Sequence, residues 1–403
     1  MLLDRYRDLL RVPAIHATLL ASVPGRLPIG IAGFAILLLV QTSSGSFIKA
    51  GVASALYVLG LATVSPLIGR AIDRSGPRPV LRLCALIYPL MLIALVALVL
   101  MRAHTAAIAL CAYIAGASLP PVTICMRTLY PRVLTSPALL QTAYSVDSAI
   151  VEFVFVIGPA LVALFLACGF PSGAVLLAAL AAALGTAWFV RTPVIRDWPI
   201  RPHGVAGRWR IFTEPGMVTL YAATVFYSVA VGLYEVGVTA FATKRGLPAV
   251  AGIALALTSV GGALGAFAYG ARHWQAPLRR QFLIALALMA AGSLLVASAH
   301  DIGVFLVANL VAGVPVASVF ATQSVLLSRL APGGKLAESF TWGGTCLLGG
   351  ISGGTALGGV LAESVAPAWI LVSAALATGI AALIVKAIPH SPRLDAMGEH
   401  FLN

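Results

Sequence analysis

Along nearly the whole chain, long apolar runs alternate with short segments rich in Arg, Pro and Gly. About 20 apolar residues are what a helix needs to cross the hydrocarbon of a bilayer. Breaking the runs at those segments predicts twelve membrane-spanning helices, near residues 14–41, 47–68, 80–101, 106–126, 139–166, 172–190, 215–242, 249–270, 282–299, 302–328, 338–362 and 367–388. The longer ones must tilt or break to fit the bilayer. The longest polar stretch, 191–213, is rich in Pro and Arg and divides the helices six and six. The expected organisation is an N-terminal six-helix half over 1–190, a cytoplasmic connection over 191–213, a C-terminal six-helix half over 214–388 and a cytoplasmic tail over 389–403.

Composition strengthens this reading. Of the 403 residues, 60% are hydrophobic and 10% charged, whereas soluble domains are about 25% charged. A soluble fold is excluded. The net charge of +13 does not point to nucleic acid, because a nucleic-acid reader clusters basic residues on one face beside base-contacting groups. Here they punctuate the apolar runs.

Positive charge also orients the chain, since cytoplasmic loops retain an excess of Lys and Arg. Of 26 such residues, 21 fall on one side, among them Arg70, Arg74, Arg78 and Arg82 after the second helix and Arg191, Arg196, Arg201, Arg208 and Arg210 after the sixth. Lys49, Arg102, Lys244 and Arg245 fall on the other, and Arg26 lies inside the first helix. An odd number of helices would scramble this partition. Both termini are thus expected in the cytoplasm of a multi-pass inner-membrane protein. The first apolar run is too long for the 7–15-residue core of a cleaved signal peptide, so the N-terminus should be retained.

One feature suggests an internal duplication, and another suggests close helix packing. A Gly-then-basic connection at Gly69–Arg82 recurs at Gly270–Gln281, 201 positions later, and repeated halves are a common transporter plan. In the eleventh helix Gly350, Gly354 and Gly358 recur every four residues, leaving a face on which another helix can lie closely. The five cysteines have no CxxC spacing and read as small hydrophobes, so neither metal nor cofactor is expected.

Residues 69–78 read GRAIDRSGPR. This resembles the G-x-x-x-D-R/K-x-G-R/K-R/K signature between helices 2 and 3 of the major facilitator superfamily. Gly69, Asp73, Arg74, Gly76 and Arg78 match, and Pro77 replaces one expected basic residue. The resemblance implies an all-α polytopic membrane protein with its twelve transmembrane helices in two six-helix halves around a central cavity, opened alternately to either side. It also implies that Gly69 permits close helix packing and that Asp73 engages the start of helix 11. That start lies near Glu338, whose charge should repel Asp73 unless Arg74, Arg78 or Lys335 intervenes. Gly158-Pro159 resembles part of the family's antiporter motif, although the glycines that usually follow are replaced by Ala160, Leu161, Val162 and Ala163.

The remaining candidates are the charges inside the apolar runs, which cost roughly 2.5–3.5 kcal/mol each to insert at a helix centre and so normally face a cavity or a partner. Arg26 lies between Pro24 and Pro28, whose missing N–H groups leave backbone carbonyls free. It suits an anionic solute group or a counter-ion, being charged at any ordinary pH. Asp147 and Glu152 are five residues and about 140° apart on the fifth helix, so they face different partners. By depth, Glu152 is expected to meet Arg26 and Asp147 to meet Arg127. In the functional version a carboxylate takes a proton and releases its arginine when the cavity changes side. On the seventh helix Tyr227 and Tyr234 share a face, and Glu235 sits about 100° round from Tyr234 as a second candidate for a proton or cation. The resemblance implies that helices 1, 4, 7 and 10 line the cavity.

Gly350-Ile351-Ser352-Gly353-Gly354 fits a G-x-S-x-G nucleophile pattern, but none of the seven histidines is placed to serve Ser352. No Walker A or HExxH sequence is present. The expectation is a secondary transporter, not an enzyme, that moves a small organic solute by alternating access and couples export to protons. The alternatives are facilitated or proton-driven uptake of a metabolite, and a non-transporting sensor of the same fold. Partners expected are the solute, protons and the lipid bilayer, with no nucleic acid, and the chain is expected to be a monomer.

Overall fold

The computed structural model describes residues 4–198, 214–272 and 274–387. Fifteen helices account for nearly all of them, with no strand among the described residues: α1 (Asp4–Arg11), α2 (Pro13–Ser44), α3 (Phe47–Ser75), α4 (Pro77–Leu100), α5 (Thr105–Ala117), α6 (Val122–Val133), α7 (Pro137–Ala167), α8 (Pro171–Arg191), α9 (Pro193–Arg196), α10 (Pro215–Lys244), α11 (Pro248–Ala271), α12 (Leu278–Ala297), α13 (Ile302–Leu330), α14 (Leu336–Ser364) and α15 (Pro367–Lys386). Twelve segments are long and apolar enough to cross a membrane, with α5 and α6 together forming one of them. Of the expected central connection only 191–198 is described. The rest of it and the tail 389–403 lie outside the described residues.

Local chemistry sets the boundaries. α2, α4, α8 and α15 begin with Pro in the first turn, where a missing N–H costs nothing and φ is already helical. Asp301 caps α13 by accepting from the Val304 N–H at 2.9 Å, satisfying one of the orphan donors of the first turn. The expected fourth helix divides after Ala117 because Pro120 and Pro121 supply no backbone donors.

One boundary differs from expectation. The segment Gly69–Arg82 is not a loop: α3 continues to Ser75, and only Gly76, at φ 78°, separates it from α4. Nothing in Gly-Arg-Ala-Ile-Asp-Arg-Ser breaks a helix, and 29 residues at about 1.5 Å each outreach the hydrocarbon core, so the polar turns emerge while still helical. Gly69, Asp73 and Arg74 therefore ride on α3, and Arg78 on the first turn of α4.

The described residues form two compact units. Among the described residues, unit 1 draws on 4–9, 130–152, 214–272 and 274–387, and unit 2 on 10–129 and 153–198. Within unit 2, α2 packs on α8, α3 on α5, and α4 on both α5 and α8. Within unit 1, α10 packs on α15, α11 on α13, and α12 on both α13 and α15, so the same order of neighbours recurs. α10 also lies along α14, and here the glycine spacing has a physical cause. A Cβ at Gly354 would stand 2.1 Å from the Val229 carbonyl oxygen and one at Gly350 2.6 Å from that of Val225. Neighbouring Gly353 has nothing within 4 Å. In lipid no hydrophobic force draws helices together, so such backbone contact is itself the source of association.

Candidate functional site

In unit 1 a short stretch of α11 gathers several half-buried polar groups. Thr258, Ser259 and Gly262 occupy adjacent turns, and each meets a candidate from another helix. The Ser259 hydroxyl stands beside the carboxylate of Glu152 on α7. Gly262 makes room for it, since a Cβ there would lie 3.2 Å from the Glu152 carboxyl carbon. Thr258 lies 3.4 Å from the Tyr234 hydroxyl, which donates to Asn309 Oδ1 on α13 at 2.7 Å. Among the described residues no basic side chain pairs with Glu152. In place of the arginine expected from depth, it has a serine.

Further along α10, Glu235 opens onto a cavity of about 490 Å³ shared by α10, α11 and α14. Thr239, Thr243 and Lys244 continue the lining along α10, Thr355 faces them from α14, and Leu255 and Ala362 close the apolar side.

The other candidates are held by protein. Asp147 is fully buried in unit 1 and accepts from the Tyr130 hydroxyl at 3.3 Å. Tyr227 is also fully buried, donating to Gln323 Oε1, whose amide donates to Thr224 at 2.7 Å. Glu338 is buried in the first turn of α14 with Lys335 Nζ 3.8 Å away. A carboxylate there complements the positive end of the helix.

Unit 2 holds Arg26, Arg127 and the motif. Arg26 is 1% exposed, enclosed on α2 rather than presented to solvent. Its neighbour Gly25 lies against the α8 backbone, so that a Cβ at Gly185 of α8 would meet Gly25 N at 2.3 Å. Arg26 and Asp73 both act electrostatically on Cys125 of α6, so the arginine and the motif aspartate share one interior region of this unit. Arg127 is half-buried on α6. Gly69 and Gly76 are buried, Arg74 is exposed, and Arg78 reaches toward the segment after α8. There the Asp197 carboxyl is held below its ordinary range, first by a 3.0 Å hydrogen bond from Arg196 and further by the charges of Arg196 and Arg78.

Attention to charge alone passes over a polar network at the end of α11 near the basic segment 272–280. Gln141 Nε2 donates to Gln281 Oε1 at 2.9 Å, Tyr269 donates to the same oxygen at 2.7 Å, and Thr322 donates to Tyr269 at 2.8 Å. Thr142 donates to the Gly270 carbonyl at 2.9 Å. The Tyr6 ring stacks on Phe267 with centroids 4.9 Å apart, and its hydroxyl donates to the Phe267 carbonyl at 2.6 Å. Burial pushes that hydroxyl up to about 12. The signal available for this network was the presence of uncharged amides in apolar runs, which also need partners in lipid.

Twelve apolar spans, with acids, amides and hydroxyls meeting on facing helices, define a polytopic carrier of the bilayer. The chain belongs to the Major Facilitator Superfamily, whose family model matches residues 18–278. It is a transporter rather than an enzyme, with a fold built for secondary transport. No curated protein matches the sequence. Among solved structures, a bacterial homologue of the iron transporter ferroportin in its outward-facing state is similar at TM-score 0.76 and 16% identity, covering 92% of this chain and 98% of that one. The proton:xylose symporter XylE is similar at TM-score 0.75 and 13% identity, covering 95% and 98%. The human organic anion transporter MFSD10 is similar at TM-score 0.71 and 17% identity, covering 93% and 99%. At these identities the likeness speaks to fold alone.

Proposed function

We propose that this chain exports a small organic solute by alternating access, driven by protons returning through Glu152. The observation that carries the reading is the setting of Glu152: a carboxylate inside a membrane helix, half-buried, whose described contacts are a hydroxyl and a glycine rather than a cation. A carboxylate held by a permanent positive charge has its protonation decided for it. One beside a serine hydroxyl can exchange a proton, because the hydroxyl serves either form, able to donate to the carboxylate or accept from the acid. Binding a proton removes a charge that lipid and protein resist, and this gives the two states of the carrier different energies. Thr258 on the same stretch of α11, with Tyr234 of α10 and Asn309 of α13 against it, completes the polar surface.

The same reading places the chain as an antiporter and a monomer in the inner membrane, with both termini in the cytoplasm and the six-helix halves at 1–190 and 214–388 moving against one another. Asp73, Arg74 and Arg78 then work with Glu338 as the cytoplasmic gate. In proteoliposomes, flux of a solute found by a thermal-shift screen should follow an imposed pH gradient and fall to the level of empty liposomes in Glu152→Gln. Flux indifferent to both removes the proton from the mechanism. Solute that accumulates along the proton gradient, rather than against it, makes the chain an uptake carrier.

A further inference from the structure

The cavity beside Glu235 is built entirely within unit 1, and its polar groups have an uneven chemistry. The Thr239 hydroxyl donates to the Glu235 backbone carbonyl at 2.8 Å, and the Thr355 hydroxyl donates to the Ile351 carbonyl at 2.9 Å. A hydroxyl has one proton to give. With it committed to the helix, each presents lone pairs to the cavity. Glu235 adds a carboxylate that is exposed to the cavity and has no partner among the described residues. The one basic side chain in the lining, Lys244, donates to the Val365 carbonyl at 2.9 Å. It stands nine positions from Glu235, about 13 Å along the helix, too far to neutralise it.

The cavity is therefore rich in acceptors, carries one negative charge and has an apolar side formed by Leu255, Ala240 and Ala362. Its volume of about 490 Å³ falls within the range of sites for small organic molecules, about 300–1,000 Å³. A divalent metal ion would need about six oxygen ligands, which one carboxylate and scattered hydroxyls do not supply. What matches is a donor-bearing cation with a hydrocarbon body.

We propose that this cavity binds an organic ammonium ion, its N–H groups donating to Glu235, Thr239 and Thr355 and its apolar part lying on the Leu255 side. The inference rests on the reading of the chain as a carrier of organic solutes, but not on proton coupling.

Three probes of similar shape separate the contributions: 2-phenylethylammonium, neutral 2-phenylethanol and anionic phenylacetate. They are titrated calorimetrically at pH 7 into the purified full-length protein. The ammonium ion should bind about tenfold or more tightly than either analogue, the scale expected when a charge-assisted hydrogen bond is lost. Glu235→Gln should lose about the same factor, Glu235→Asp should retain most of the preference, and Thr239→Val should lose about threefold. A Glu235→Gln protein whose melting temperature matches the wild type shows that the loss is local, and Glu235→Asp reports on charge even where Gln disturbs the fold. Three probes binding alike, no ammonium binding below about 10 mM, or ammonium binding that survives Glu235→Gln overturns the proposal. Glu152→Gln separates the two readings. If it abolishes pH-driven flux but leaves ammonium binding intact, both stand. If flux persists while binding still depends on Glu235, proton coupling fails and the amine site remains. Ammonium binding lost in Glu152→Gln but retained in Glu235→Gln moves the site away from this cavity and overturns its assignment.

Discussion

Both units carry charge in apolar helices, but Arg26 of unit 2 differs in access from two carboxylates of unit 1. In unit 2 the guanidinium of Arg26 is sealed off, on a helix whose next glycine touches the backbone of α8. In unit 1 the carboxylate of Glu235 opens to a cavity and that of Glu152 meets a serine and a glycine. An arginine stays charged at any ordinary pH, so enclosing it yields a permanent electrostatic anchor. A carboxylate can exchange its charge for a proton, and leaving it within reach of small polar groups keeps that exchange open. Charge within the membrane is thus no mark of function by itself; access to the charge is.

The largest effect expected from this contrast comes from removing the enclosed cation. Arg26→Ala takes away one side of a buried electrostatic arrangement and strands the groups around it, a change of about 3–5 kcal/mol in well-studied cases. It should sharply lower the melting temperature in detergent or abolish expression of folded protein. Glu235→Gln, at an exposed position, should melt as the wild type does. If Arg26→Ala melts normally and instead alters the affinity for an anionic solute, the contrast is reversed and the arginine is the working group.

A second comparison lies within α14. Gly354→Ala places a methyl 2.1 Å from the Val229 carbonyl oxygen, a distance that real Cβ atoms do not tolerate, whereas Gly353→Ala meets nothing within 4 Å. Overpacking of this kind costs about 1–3 kcal/mol, while the substitution one residue earlier should be neutral or slightly stabilising, because alanine is the better helix former. The pair is read by thermal melting, with transport measured alongside. Equal melting of the two variants would show that α10 and α14 separate easily, as a sliding contact would.

These contrasts were only partly legible in the sequence. Bilayer thickness imposes a length on every spanning helix, so twelve runs of about the right length sufficed to find the helices. Polar residues were a poorer guide to loops. The GRAIDRS segment looks like a connection, yet it is helical to Ser75, because leaving the membrane does not end a helix. The acids stood out because charge is conspicuous in an apolar run, and the 140° between Asp147 and Glu152 correctly sends them to different neighbours, Tyr130 and Ser259. Which neighbour Glu152 would meet was not legible. Depth along the helix suggested Arg26, but the neighbour is set by how the helices are rotated and packed, and that depends on glycines such as Gly262 meeting the right side chain. Apart from Tyr227 and Tyr234, uncharged groups did not stand out. Asn309, Gln323 and Gln141 carry much of the buried polar structure of unit 1, and a census of charge passes over amides that equally need partners in lipid.

The smallest effect tests whether uncharged contacts in unit 1 also stabilise it. Tyr6→Phe keeps the ring stacked on Phe267 and removes only the hydroxyl that donates to the Phe267 carbonyl. A single neutral hydrogen bond contributes about 0.5–1.5 kcal/mol, and Tyr6 is only partly buried, so the lower end is expected. Its pH dependence is the sharper readout. Burial raises the hydroxyl from 10.0 to about 12, so the folded protein holds this proton more tightly than the unfolded chain. The contribution is complete below about pH 10, where both states are protonated, and is lost as the pH rises through about 12. Melting curves for wild type and Tyr6→Phe should therefore lie a small constant distance apart from neutral pH to about 10 and converge or cross above it. A constant separation through pH 12 would mean that the hydroxyl titrates alike in both states, and that the segment around Tyr6 adds no proton-linked stability to unit 1.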